Sequence, residues 1–598
     1  MEIANSNLLY NYNGEDITMY RKFYSVTAAL LLSAGVTAAA AAPPPPPAAP
    51  PVKAGTHSDR KQTPAKKASG SKKQKSNRNQ KNIKRNQKRK VAFKVQQQSV
   101  KLTPEQSLYA KSYTLLPQYR SDHHLFQHWL AKKLPMPLEA SDNVLVRRLY
   151  LDLLGRLPTV EEAKEYVSDT HKNKYLRLAN KLVYSREFVT YWTMQWCDIL
   201  RVKSEFPINL WPNAVYSYQR AVQQFLTRDS RVDHFFYKLL TSSGSNFRSP
   251  EANFLRAAAN RTPQGIARSV MLTIFGIRFD TLPPEAQKNI TAFFEDVKFK
   301  STKEWKEEIV YVLPGPERTL TLPNGDKVKI PTGADARKYF ANYAVFGKGR
   351  RLMAEAVVNR TWFWFFGRGI VPEGDDMFNR KPQIPAYFRA LVNNFLASRC
   401  SFRALCLDIV GSAAYRSASW QPQQLAAMEA NFAAYPIRRL GAEVLDDAIR
   451  DVTQIPSKYH SVIPEPFTFL PPEMRTIDIA DGSISSSFLI LFGRPARDSG
   501  LLSERNDTIN IKQRLFLFNS GALFRKLNNV RNRDIIQRQP MEQQVEYFYW
   551  LFLSRPPTDA EMKLIKAEIK SRHKNRRWQF PQDMCWILIN SAEFLHRH

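Results

Sequence analysis

The stretch LDLLGRLPTVEEA (Leu151–Ala163) has a counterpart far downstream, LFLSRPPTDAEM (Leu551–Met562). In each copy a threonine after proline is followed three residues later by glutamate: Thr159 and Glu162, then Thr558 and Glu561. T-x-x-E is a capping box. The hydroxyl accepts from a free backbone N–H in the first turn, and the glutamate reaches back to the cap's own N–H. Pro158 and Pro557 disfavour continuation of the preceding helix. Each copy therefore reads helix, tight turn, helix. The likeness extends to LVYSREF (Leu182–Phe188) and LINSAEF (Leu588–Phe594), with LDIVGSAAY (Leu407–Tyr415) a further partial copy. This is architecture used more than once, with Arg156 and Arg555 assigned to the turns.

Outward from these hairpins the pattern stays helical. Phe188, Trp192, Trp196 and Ile199 form one stripe at three- and four-residue steps, as do Val358, Trp362, Phe365 and Phe366, with Gly367 as a C-terminal cap. One interlude differs. Glu307–Ile330 carries β-branched runs around Asn324-Gly325, a hairpin signal that predicts two or three strands. The fold class is mainly α, with two helical domains (101–306 and 333–598) joined by a small β-hairpin segment (307–332).

The N-terminus reads as an address. Arg21 and Lys22 precede an apolar run from about Val26 to Ala40, with small residues before Pro43. This predicts a signal peptide over 1–42, with translation starting at Met19. Residues 43–100 follow as a linker, first Pro/Ala-rich and then rich in Lys, Arg, Asn and Gln. They have too few apolar residues to bury and are expected to be disordered. Export to the periplasm or cell surface follows from the address.

The total charge is +34; residues 1–52 carry −1 and 53–94 carry +15, which leaves +20 on residues 95–598. A polyanionic partner is favoured. Behind a signal peptide the expected partner is an anionic polysaccharide or other surface polymer, with no specific nucleic acid; a solvated linker without a specific partner is an equal alternative for the tail. The four cysteines, Cys197, Cys400, Cys406 and Cys585, form no C-x-x-C or haem-attachment pattern, so no metal, haem or other cofactor is expected. Cys400 and Cys406 are near enough in sequence to be considered as a pair.

RRLYLDLLGRLPT with Trp192, Trp196 and Asp198 resembles the first of two paired domains found in planctomycete-type secreted proteins. VVNRTWFWFFGRGIV (Val357–Val371), YPIRRLGAEVL (Tyr435–Leu445) and FNSGALFRKL (Phe518–Leu527) resemble the second. These are the PSCyt/PSD-type domains of unknown function 1549 and 1553. Ser204–Val215 and Phe492–Asn506 resemble a verrucomicrobial-type branch. The resemblance implies export, a helical fold and the company of a sulfatase-like secreted protein, but no established activity. Many relatives carry C-x-x-C-H-x-H-K where this chain has Met271–Pro283 without cysteine or histidine, and His-Pro-Glu where it has Gln383-Ile384-Pro385-Ala386.

Candidate chemistry is sparse. His124 and His128 share a helical spacing but have no third ligand in view. Asp375-Asp376, and Glu443 with Asp446 and Asp447, offer carboxylates; Glu443 lies four residues from Arg439, a spacing that allows an ion pair along one helix face. The densest polar group is Arg494, Arg497, Asp498, Glu504, Arg505 and Asn506, in a loop broken by Gly, Pro and Ser. Together with Trp211, Arg438, Arg439 and Glu443 it is the candidate binding site. Arginine forks suit sulfate or carboxylate, and Trp211 suits a sugar ring. An internal Arg–carboxylate network joining the domains is equally economical. Three functions stay open: a binder of an anionic polymer or partner, a glycan-processing enzyme acting on sulfated or uronic polysaccharides, and a scaffold for a surface complex.

Overall fold

The computed structural model describes residues 96–228, 230–531, 539–573 and 579–598. The signal segment and the linker up to residue 95 lie outside them. Residues 97–100, placed in the linker by composition, run beside 112–114: the Gln98 N–H donates to Thr114 Oγ1 (2.9 Å) and the Val100 N–H to the Ser112 carbonyl (2.9 Å). The fold is mainly α-helical, and among the described residues the sheets are small and antiparallel, of two or three strands. No described helix is long and apolar enough to cross a membrane.

Helix α1 (Asp142–Leu154) ends at Gly155, whose φ of 65° is left-handed. A Cβ there would meet the Tyr191 ring at 2.4 Å. Thr159 then caps α2 (Val160–Ser168) with the reciprocal bonds of the capping box: Glu162 N–H to Thr159 Oγ1 (3.2 Å) and Thr159 N–H to Glu162 Oε2 (2.8 Å). Helices α3 (Lys174–Val183) and α4 (Arg186–Ile199) follow. Arg156 fastens the unit. Its fork holds Glu162 (2.7 Å) and Glu187 (2.6 Å), and it lies 4.9 Å over the Tyr150 ring.

Strands β1 (Val297–Ser301) and β2 (Glu308–Val312) pair with each other, and β2 also takes Gly244–Ser245 on its far side. The expected hairpin at Asn324-Gly325 joins β3 (Arg318–Thr321) to β4 (Lys327–Ile330). Three strands thus fall within 307–330, but the first belongs to a separate sheet.

The helical halves on either side of these strands share one core, and residues 97–598 form one compact unit. Trp192 and Trp196 of α4 meet Trp364 of α5 (Arg350–Phe366) at 5.5 and 5.7 Å, and Phe402 at 5.0 and 5.6 Å. Rings at such edge-on separations add to the burial of their area. Strand β5 (Arg438–Arg439) leads into α6 (Ala442–Thr453).

The second hairpin repeats the first. Helix α7 (Met541–Leu553) ends at Ser554 (φ 60°), and Thr558 caps α8 (Asp559–Ser571) with the same box. Arg555 holds Glu561 and Glu593, each at 2.8 Å, and lies 5.3 Å over Tyr549. Ser591 caps the short α9 (Ala592–Leu595), and β6 (His596–Arg597) pairs with β5. Ser185, Ser412 and Ser591 each accept the backbone N–H of the aromatic residue three positions on, which explains the third, partial copy. All four cysteines are buried; Cys400 and Cys406 are free thiols and do not form the disulfide considered above.

Candidate functional site

The loop after Phe492 turns inward. Arg497 adopts φ 61°, a strained conformation for a large side chain, and is wholly buried. Its Nε donates to Asp198 Oδ1 (2.8 Å) and its Nη1 to the Ala480 carbonyl (2.7 Å). Arg505 spans two carboxylates, reaching Asp198 Oδ2 (2.7 Å) and Glu443 Oε2 (2.6 Å). Arg494 lies 3.4 Å from Glu443 and donates to the carbonyls of Ile484 and Asp481. Burial pushes the Glu443 carboxyl up, but Arg505 and Arg494 outweigh it and hold it down at about 2. Burial lowers Arg494 to about 10. An incoming sulfate or carboxylate would have to displace Asp198 and Glu443, at the cost of leaving buried charges unpaired.

The rest of the loop is also bound internally. Asp498 takes Lys203 (2.6 Å), Glu504 accepts from the Ser499 N–H and hydroxyl (both 2.6 Å), and Asn506 Oδ1 accepts from Thr508. Arg438 donates to the carbonyls of Phe365 and Trp364. Arg439 corrects the helix-pair expectation: it lies in β5 and donates to the carbonyls of Leu440, Phe492 and Asn506, while Glu443 is taken by arginines from the 494–505 loop. Nor do the α6 carboxylates lie on the surface. Glu443, Asp446 and Asp447 are all buried. Asp447 accepts the N–H groups of Thr476 (2.8 Å) and Ile477 (3.1 Å), and burial raises it to about 7 against the pull of Arg475. Asp375 likewise accepts the Leu502 and Ser503 N–H groups.

His128 Nε2 lies 2.9 Å from Asn431 Oδ1, and among the described residues no group of three His, Cys, Asp or Glu could hold a metal ion. A polar cavity of about 580 Å³ opens beside the first repeat's turn, lined among others by Arg156, Thr159, Glu187, Arg450, Asp451 and Arg475. Its charges are of both signs.

Trp211 has a different setting. It precedes the helix Pro212–Thr227 with φ 70°. It touches Trp305 (5.6 Å) and Phe467 (5.4 Å), which lie nearly parallel to each other, 6.1 Å apart and 11° from coplanar. Trp305 and Phe467 were not among the sequence candidates. The signal for Trp305 is its place in KEWKE, where a lone tryptophan among charges has no apolar periodicity to carry it inward. Asp198 was visible only within an aromatic motif; its partners arrive from some three hundred residues away.

Two family models match the chain in tandem. Residues 120–300 match PSCyt2, Protein of unknown function (DUF1549), and residues 336–569 match PSD1, Protein of unknown function (DUF1553). No curated protein and no solved structure matches. The buried network joins these two segments, Asp198 coming from the first and Glu443, Arg494, Arg497 and Arg505 from the second. The chain thus belongs to the proteins that carry a PSCyt2 and a PSD1 domain in tandem.

Proposed function

We propose that this is an exported protein that binds an anionic polymer at the cell surface or in the periplasm by surface charge. The observation behind this reading is the fate of its cations. Residues 95–598 keep a charge of +20, while the arginines of the 494–505 loop are spent on internal partners. Polymer contact then falls to exposed lysines and to the Lys/Arg-rich stretch 53–94, a diffuse field rather than a pocket. The carboxylates of α6, which a glycan-processing enzyme would need in the open, are buried: Glu443 and Asp447 face arginines and Asp446 accepts from Ser457 and Thr476.

The test is retention on sulfated, carboxylated and neutral polysaccharides across a salt series, for the full chain and for a protein beginning at residue 96, which keeps the compact unit 97–598 whole. Expected is retention on the anionic polymers that falls steeply as salt shortens the Debye length. Retention indifferent to salt would overturn the reading. Arg497→Ala and Arg505→Ala should lower the melting temperature and leave the salt dependence of whatever protein remains folded unchanged.

A further inference from the structure

Among the described residues, three loops carry a group of exposed aromatic side chains. The first carries Phe206 and Trp211, the second Trp305, the third Phe467 and Phe469. Phe206 is 79% exposed, Trp305 64%, Phe469 62% and Phe467 44%. Trp211, Trp305 and Phe467 touch one another. The supporting backbone is strained where the rings are set: Asn209, Trp211, Lys303 and Lys306 all have φ between 55° and 70°. Non-glycine residues persist there only when the surroundings hold them, and such positions gather at binding sites. Hydrophobic collapse alone would turn these rings inward. Instead Trp305 and Phe467 lie nearly parallel, with centroids 6.1 Å apart, and each keeps part of its ring in solvent.

We infer that this aromatic surface is a stacking platform for the uncharged, C–H-lined faces of a polysaccharide. The hydrogens on one face of a pyranose ring are weakly positive, and an aromatic face is negative, so the two attract while both lose water. Local charge favours a neutral glycan over a polyanion: exposed Lys303 and Lys306 are offset by exposed Glu304 and Glu465. The platform is thus separate from the charge-driven binding proposed above, and the two respond oppositely to salt.

The test uses the full chain with cellulose, xylan and mannan as probes in about 1 M NaCl, where the Debye length is about 3 Å and charge-driven retention is lost. Expected is retention on at least one of these polymers, falling roughly tenfold or more in Trp305→Ala/Phe467→Ala and recovering in part in Trp305→Tyr. Trp305 is 64% exposed and Phe467 44%, so Trp305→Ala alone should leave the melting temperature near that of the parent and serves as the control for folding. Retention on none of the three, or retention unchanged in the double variant, overturns the platform. So does a double variant that converts a self-associated protein to monomer without changing retention, since the surface would then be a contact between copies. Salt-sensitive binding to a sulfated polymer is untouched by any of these outcomes and reports on the other reading alone.

Discussion

At the scale of single residues, Glu443 is the pivot of the molecule. It is fully buried and faces two guanidinium groups. Removing one partner of such a group leaves the others buried without a counter-charge, so Glu443→Gln should cost about 3–5 kcal/mol in chemical denaturation at neutral pH. The sign of its pH dependence follows from a folded value near 2 against an ordinary 4.5. Its contribution is present above pH 4.5 and is lost as pH falls towards 2. Asp447 acts the other way. Held at about 7, it favours the folded state below the ordinary carboxylate range and loses that contribution as pH rises towards 7. Melting curves across pH should show both limbs; Glu443→Gln flattens the acid one and Asp447→Asn the other. The charged residues involved were legible in sequence as a cluster, but their direction was not. Spacing along a loop does not say which side faces inward, and Asp198, 299 positions from Arg497, leaves no local trace of the pairing.

At the scale of elements, the repeated hairpin is a device of three parts: a left-handed residue to end one helix, a capping box to start the next, and an arginine tying cap to neighbour. The parts differ in quality between copies. Gly155 fills the left-handed position in the first copy, and Ser554 in the second. Ser554 is buried and its hydroxyl has no hydrogen-bond partner among the described residues. Ser554→Gly relieves both faults and should stabilise by roughly 1 kcal/mol in thermal denaturation. Arg555 is the more enclosed arginine, its side chain 5% exposed against 13% for Arg156. Arg555→Ala should therefore cost more than Arg156→Ala, as paired melting curves would show. These hairpins were readable because capping is chemistry over three or four residues. The sheet pairing of β2 was not, since its partner strand lies before the stretch that signalled a hairpin.

At the scale of the whole molecule, residues 597 and 598 return to α1, more than four hundred positions earlier. Arg597 lies 3.2 Å from Asp152 of α1, and the His598 carbonyl accepts from Arg148 Nε at 2.9 Å. Arg148 also donates to the Ser417 carbonyl (3.0 Å) and lies 3.8 Å over the Tyr435 ring, so one side chain gathers three distant parts of the chain. Deleting residues 596–598 removes the β5–β6 pairing and a partner of both Arg148 and Asp152. It should cost about 3–5 kcal/mol and expose α1 to limited proteolysis.

That late closure has a temporal consequence. A ribosome adding roughly 5–20 residues per second leaves Asp152 waiting on the order of 20–90 s for Arg597. Until Arg597 and His598 have been added, Asp152 lacks that guanidinium and Arg148 lacks the His598 carbonyl, so this joint forms after the rest of α1's contacts can be made.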